Sequence, residues 1–176
     1  MPPRKIAVVG TTGSGKTMLA EQLAEYHDVP HVELDALHWG PNWTEPTADE
    51  FRARVRAALP DAGWVVDGHY GGKLGDLVLG QADLVVWLDP PLRTILGRLW
   101  KRTLRRIRGG DELWGGNRET WRAAFLSRNS LFVWALKTHF RRRRTLLATL
   151  APLNAVRLRS PREADAWLER YLEADS

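Results

Sequence analysis

The sequence predicts an α/β protein, a doubly wound parallel sheet of about five strands flanked by helices. Short apolar runs alternate with segments of helical spacing along the chain, and no internal repeat or low-complexity tract interrupts them. The runs are continuously apolar, the pattern of strands covered on both faces. A length of 176 residues, 44% hydrophobic and 27% charged, suits one globular unit, so residues 1–176 are read as a single domain.

Residues 6–9 open the series as a buried strand, followed by a glycine-rich turn and helical spacing from Lys16 to about His27. Residues 31–34 form a short second strand. Residues 48–59 form a helix with Asp49 and Glu50 in its first turn, where carboxylates suit the helix dipole. Residues 64–66 and 84–88 are the third and fourth strands, each closed by an aspartate. After Pro90-Pro91 a long helix runs to about Ile107, and Gly109-Gly110 ends it. A loop over 111–117 leads into further helical spacing, one helix or two, that reaches Leu150. Residues 155–158 are the last strand, and Ser160-Pro161 opens a final helix to about Leu172.

Several function classes are excluded by composition. With no cysteine, there is no disulfide scaffold, thiolate metal site or cysteine nucleophile. No apolar run approaches the roughly 20 residues of a membrane helix. The start, Met1-Pro2-Pro3-Arg4-Lys5, is too short for a signal peptide and reads as a lead-in to the first strand. The expectation is a cytoplasmic monomer or homodimer with no membrane partner. Net charge is +5, but it is unevenly spread. Residues 93–144 hold 15 Lys+Arg, 13 of them Arg, against 3 acids, for +12, and the rest of the chain is −7. Such asymmetry points to a polyphosphate or nucleic-acid partner, and the dominance of arginine favours bidentate oxyanion recognition.

The first turn carries the strongest signal. Gly10-Thr11-Thr12-Gly13-Ser14-Gly15-Lys16-Thr17 satisfies G-x-x-x-x-G-K-[ST], between a strand and a helix as the phosphate-binding loop requires. Its backbone N–H groups and the helix N-terminus cradle phosphates. Lys16 is expected to reach the β- and γ-phosphates and Thr17 to ligate Mg²⁺, with Gly10, Thr12, Gly13, Ser14, Gly15 and Met18 completing the ATP-binding run. An N-K-x-D guanine signature is absent, and a mechanochemical NTPase needs a longer chain. Subtraction leaves a small ATP-dependent phosphotransferase.

Ligands of a parallel sheet lie at the carboxyl ends of its strands, where Asp35, Asp67 and Asp89 fall. Asp67 and Asp89 are candidates to hold Mg²⁺ through water. Asp35 sits further out, placed to orient or deprotonate an acceptor hydroxyl. For each, the alternative is a helix cap or turn residue. His38, Trp39, Trp43, His69 and Tyr70 cluster in the neighbouring loops, as a stacking surface or as packing. His27, His31 and His139 lack metal-ligand spacing. Arg98, Arg102, Arg105 and Arg106 recur on one helical face, and Arg108, Arg118, Arg122 and Arg128 flank a glycine-containing loop. They suit a movable lid over about 102–128 that neutralises transferring phosphate. Arg141–Arg144 is contiguous and therefore points all round a helix; it reads as solvated surface or a nucleic-acid contact. Trp100, Trp114, Trp121 and Trp134 stay open between core, interface and stacking surface.

Together these residues resemble the adenylate-kinase-like P-loop kinases, most of all the bacterial topology modulation group related to the flagellar regulator FlaR. The resemblance spans nearly the whole chain: the phosphate loop, Leu34-Asp35-Ala36-Leu37-His38-Trp39, Trp64-Val65-Val66-Asp67-Gly68-His69-Tyr70, Trp87-Leu88-Asp89, Arg98 with Arg102, and Gly116-Asn117-Arg118-Glu119. It implies a nucleoside-monophosphate-kinase core with an arginine-rich helical lid. By that resemblance Arg98 stacks near adenine and Arg102 contacts the transferring phosphate. Arg118, with Arg122 or Arg128, closes from the lid, and Arg159-Ser160-Pro161 lies against the base. Adenylate kinases follow the third-strand Asp-Gly-aromatic with Pro-Arg, whereas His69-Tyr70 is followed here by Gly71-Gly72-Lys73, and His38 stands where a second acceptor-gripping arginine is expected. The donor side is intact and the acceptor side has diverged. Asp35 with Leu37-His38 is also similar to kinases of hydroxylated metabolites such as gluconate kinase. The expected reaction moves the γ-phosphoryl of Mg-ATP to a nucleoside, nucleotide or small hydroxylated metabolite. The alternatives are a nucleotide-regulated nucleic-acid-binding protein and a plain ATPase.

Overall fold

In a computed structural model of the chain, residues 3–109, 112–118 and 131–174 are described. Five parallel strands form the sheet in the order β2-β3-β1-β4-β7, with β1 (Lys5–Gly10) central, β2 (His31–Glu33) and β3 (Trp64–Asp67) on one side, and β4 (Leu84–Leu88) and β7 (Ala155–Leu158) on the other. A separate antiparallel pair, β5 (Glu112–Leu113) with β6 (Asn117–Arg118), lies in the expected lid region.

The two-sided burial follows from the strands' residues. Ile6 and Val8 of β1 face one core with Leu19, Leu23 and Trp167, from helices α1 (Lys16–His27) and α7 (Pro161–Ala174). Ala7 and Val9 face the other, with Phe51 and Val55 of α3 (Ala48–Ala58) and Leu146 and Leu150 of α6 (Leu131–Leu150). Alternate residues thus feed opposite cores, and a polar residue inside a strand would face one of them. A capping box starts α3: Thr47 N donates to Glu50 Oε2 at 2.8 Å and Glu50 N donates to Thr47 Oγ1 at 3.2 Å.

The second strand is shorter than its sequence implies. Leu34 leaves the sheet to begin a helical turn, α2 (Leu34–His38), which swings Asp35 and His38 toward the sheet's carboxyl edge. A further turn, α4 (Gly71–Leu74), follows β3. Helix α5 (Leu92–Gly109) is continuous, so the start of the expected lid segment, Arg102 onward, extends the same helix that carries Arg98. Ile95, Leu99 and Thr103 form its buried stripe.

α6 divides the run Arg141–Arg144, which the sequence reads as solvated surface or a nucleic-acid contact. Arg141 and Arg144 are exposed, but Arg142 and Arg143 turn inward. Arg143 Nε lies 2.9 Å from Asp89 Oδ2. The same oxygen accepts from Arg157 Nε at 2.9 Å and Nη2 at 2.5 Å, and the Arg157 guanidinium lies over the Trp87 ring at 4.4 Å. Asp89 is therefore committed to two arginines that tie α6 and β7 to the end of β4. It is not placed to hold an ion. Asp89→Ala is expected to lower unfolding stability by about 2–3 kcal/mol, because two partly buried guanidinium groups lose their counter-charge. Urea denaturation measures it, and a change below about 0.5 kcal/mol would show that the cluster is solvated.

Candidate active site

The phosphate loop leaves the end of β1 and enters α1. At Gly13 φ is +78°, and a Cβ there would sit 3.0 Å from Leu99 Cγ and 3.2 Å from the Ile95 carbonyl, so the loop seats against α5 only with glycine at this point. Gly10 is excluded from growing by contact: its Cβ would stand 2.7 Å from the Leu88 carbonyl. Gly15 precedes α1, and Lys16, Thr17 and Met18 occupy its first turn. The α1 N-terminus is thereby presented to whatever lies in the loop.

Three predicted residues meet there. Thr17 Oγ1 donates to Asp67 Oδ2 at 2.5 Å, and Lys16 Nζ lies 3.7 Å from Asp67 Oδ1. Asp67 Oδ1 is buried and has no hydrogen-bond partner among the described residues. A hydroxyl and a buried carboxylate with one open oxygen are hard donors that suit Mg²⁺ through its water shell. Among the described residues no group of three or more His, Asp or Glu could hold a metal ion by itself.

The arginines of α5 serve the same loop. Arg98 Nη1 donates to the Ser14 carbonyl at 2.6 Å, and Arg102 Nη2 donates to Thr12 Oγ1 at 3.3 Å. Arg105 is exposed and turned away. Beside the loop opens a shallow cleft lined among others by Ser14, Met18, Arg98, Ser160, Pro161 and Leu168. Its place next to the phosphate cradle and its mixed lining fit a nucleotide base. Arg159 is exposed beside it, its backbone N–H bound to Glu163, and the wall is made by Ser160 and Pro161.

On the other side of the loop, over β2 and β3, lies a second group. Asp35 Oδ1 accepts from Tyr70 Oη at 2.5 Å. Burial, then the charge of Asp35, pushes the Tyr70 phenol well above its ordinary value, so it stays a donor. His38 is buried against Trp39, Phe51 and Tyr70. Burial, helped by the charge of Lys73, lowers its pKa, with Glu45 opposing. His38 is thus a neutral ring packed under the site and not a phosphate clamp. Trp39 and Trp43 meet edge to face at 5.6 Å in the loop that follows.

Glu33 is a site residue that the sequence reading passed over. Trp114, between β5 and β6, donates its indole N–H to Glu33 Oε2 at 3.0 Å, so the β5–β6 pair is tied to the end of β2. Burial raises the Glu33 carboxyl above its ordinary value; the Trp114 bond opposes this, and Asp67 and Asp35 reinforce it. A carboxyl raised in the folded state favours folding while protonated and costs stability once pH rises through its folded pKa. Glu33→Gln retains an acceptor for Trp114 and is expected to raise the melting temperature more at about pH 8 than at about pH 5. Equal shifts at the two pH values would contradict this. The side chain of Arg118, and Arg122 and Arg128 altogether, lie outside the described residues.

Among the described residues no helix is long and apolar enough to cross a membrane. No protein-family model matches the sequence, and no curated protein matches it. Solved structures do share the fold. A shikimate kinase from Bacteroides thetaiotaomicron superposes with TM-score 0.56 at 12% identity, covering 98% of each chain. A gluconokinase from Sinorhizobium meliloti 1021 superposes with TM-score 0.54 at 22% identity, covering 98% of this chain and 95% of that one. The chain thus has the five-stranded parallel α/β fold found in these P-loop kinases.

Proposed function

We propose that the protein is an ATP-dependent kinase whose acceptor is a small hydroxylated metabolite. The observation that carries this is the order of groups along one edge of the sheet. Asp35 follows β2, Asp67 ends β3, the phosphate loop follows β1, and the cleft walled by Ser160 and Pro161 adjoins the loop's far side. Donor and acceptor subsites are thereby set on either side of Lys16.

In this reading the phosphate loop and α1 hold the β- and γ-phosphates, Lys16 balances charge at the bridging oxygens, and Arg98 and Arg102 keep the loop in shape from α5. Thr17 and Asp67 would hold Mg²⁺, which would supply charge neutralisation on the phosphates. Asp35, held by Tyr70, orients the acceptor hydroxyl and takes its proton as the new O–P bond forms and the bond to the ADP oxygen breaks. Lid arginines, Arg118 among them, complete the charge balance. The likeness in fold to a shikimate kinase and a gluconokinase is in keeping with this. A cytoplasmic location belongs to the same reading.

The test is transfer from γ-labelled ATP, with and without Mg²⁺, to a panel of nucleosides, nucleoside monophosphates, polyols and hydroxy acids. Labelled product from a hydroxylated metabolite supports the reading. ADP and free phosphate with no labelled product identify an ATPase instead, and product from nucleoside monophosphates alone moves the protein to nucleotide kinases.

A further inference from the structure

The helices α5 and α6 lie against one another and carry one sign of charge: seven Lys and Arg on α5 and five on α6, with no acid on either. Some of these cations serve the interior, since Arg98 and Arg102 donate to the phosphate loop and Arg143 meets Asp89. Six others are exposed. On α5 they are Arg93, Lys101, Arg105 and Arg108, on the side of the helix opposite its buried stripe of Ile95, Leu99 and Thr103. On α6 they are Arg141 and Arg144, opposite the buried His139, Leu146 and Leu150. Among the described residues none of the six has an ion-pair partner. Large apolar side chains are exposed on the same two helices: Trp100 at 48%, Phe140 at 65% and Leu147 at 46%.

We propose that the outward faces of α5 and α6 form a docking surface for single-stranded nucleic acid, apart from the phosphate loop and independent of the kinase reading. Like charges three, four and seven residues apart on one helix face repel one another, and a polyanion laid along them removes that cost. The four cations of α5 extend over about 22 Å of helix, long enough to follow several phosphates of one strand. Five of the six exposed cations are arginines, whose planar fork matches a phosphate edge. Trp100 and Phe140 then offer ring faces on which bases can stack, an arrangement that strands with free bases use and a duplex, with its bases already stacked, does not. An anionic bilayer fits less well. A helix lying in a membrane surface sinks a continuous apolar face, whereas the outward face of α5 is filled by cations, and Trp100 alone of its described large apolar side chains is exposed.

The experiment titrates the full chain against fluorescein-labelled oligouridine of about 15 nucleotides, read by anisotropy. Mg²⁺ and a non-hydrolysable ATP analogue occupy the phosphate loop, and potassium chloride is varied between about 50 and about 200 mM. Binding is expected, with log K falling against log salt at a slope of about −3 to −4, as for about four to six neutralised phosphates. Arg105→Glu combined with Arg144→Glu is expected to weaken binding by roughly 10- to 100-fold and to flatten the slope. Phe140→Ala is expected to weaken it by roughly 5- to 100-fold with the slope retained. All three positions are exposed, and unchanged melting and ATP-analogue affinity confirm that the variants fold. No binding at the lowest salt, a flat slope in the wild type, or wild-type affinity in both variants overturns the proposal. So does loss of binding on adding the ATP analogue, which places the strand in the phosphate loop. Tighter binding of a duplex of the same length, or sedimentation with phosphatidylserine vesicles and no affinity for the oligonucleotide, also overturns it.

Discussion

Lys16→Ala is expected to lower phosphoryl transfer by about 10³-fold or more while leaving the chain folded. Lys16 Nζ lies 3.7 Å from Asp67 Oδ1, and its side chain keeps some exposure to solvent at the loop. What is lost is a positive charge aimed at oxygens whose charge changes as the phosphoryl group moves. Single preorganised groups of this kind are worth about 10²–10³ in rate, and dedicated phosphate-neutralising arginines as much as about 10³–10⁵. Label-transfer rates on wild type and variant, with a thermal melt to confirm folding, measure the effect. Turnover within a factor of about 10 of wild type would show that the loop binds phosphate without acting on it. Asp67 loses its cationic partner in this variant but keeps Thr17, and Lys16→Met, uncharged like alanine but closer to lysine in length, is a useful companion. Both should be inactive.

The phosphate loop was legible because its chemistry is local. Eight consecutive residues hold the glycines, lysine and threonine, and the strand before and helix after are readable from apolar continuity and spacing. The five strands were legible for a similar reason: residues such as Ile6, Ala7, Val8 and Val9 are apolar on both faces because both are covered. The acceptor side was harder to read because it is assembled from distant segments. Asp35 and Tyr70 are 35 residues apart, Glu33 and Trp114 are 81 apart, and nothing in either local sequence announces the partner. Leu34 reads as the end of a strand and in fact begins a turn of helix, since only packing decides where a short apolar run leaves the sheet. Arg141–Arg144 was legible only in part, because four consecutive residues face every direction of a helix, and Arg141 and Arg144 are exposed while Arg142 and Arg143 are partly covered. The buried positions His139, Leu146 and Leu150 select Arg142 and Arg143 as the inward pair, and that spacing was present in the sequence. Asp89 follows the same logic, since its two arginines come from α6 and β7, 54 and 68 residues downstream.

Asp35→Asn should separate proton acceptance from placement. The amide oxygen can still accept from Tyr70 Oη, which sits 2.5 Å from Oδ1 in the native site, so the turn and its packing are retained. The variant loses a negative charge and a proton acceptor beside the acceptor hydroxyl. If Asp35 takes the proton in the transition state, kcat should fall by about 10²–10⁴ with a much smaller rise in the acceptor KM. If it only orients the hydroxyl, the loss should appear mainly in KM, because a loose phosphoryl-transfer transition state asks little of a base. Tyr70→Phe sharpens the distinction. It leaves the carboxylate charged but without its buried donor, at a cost of about 1 kcal/mol of stability, and it should lower kcat far less than Asp35→Asn does. A full kcat in Asp35→Asn would show that the acceptor is not activated from β2 at all.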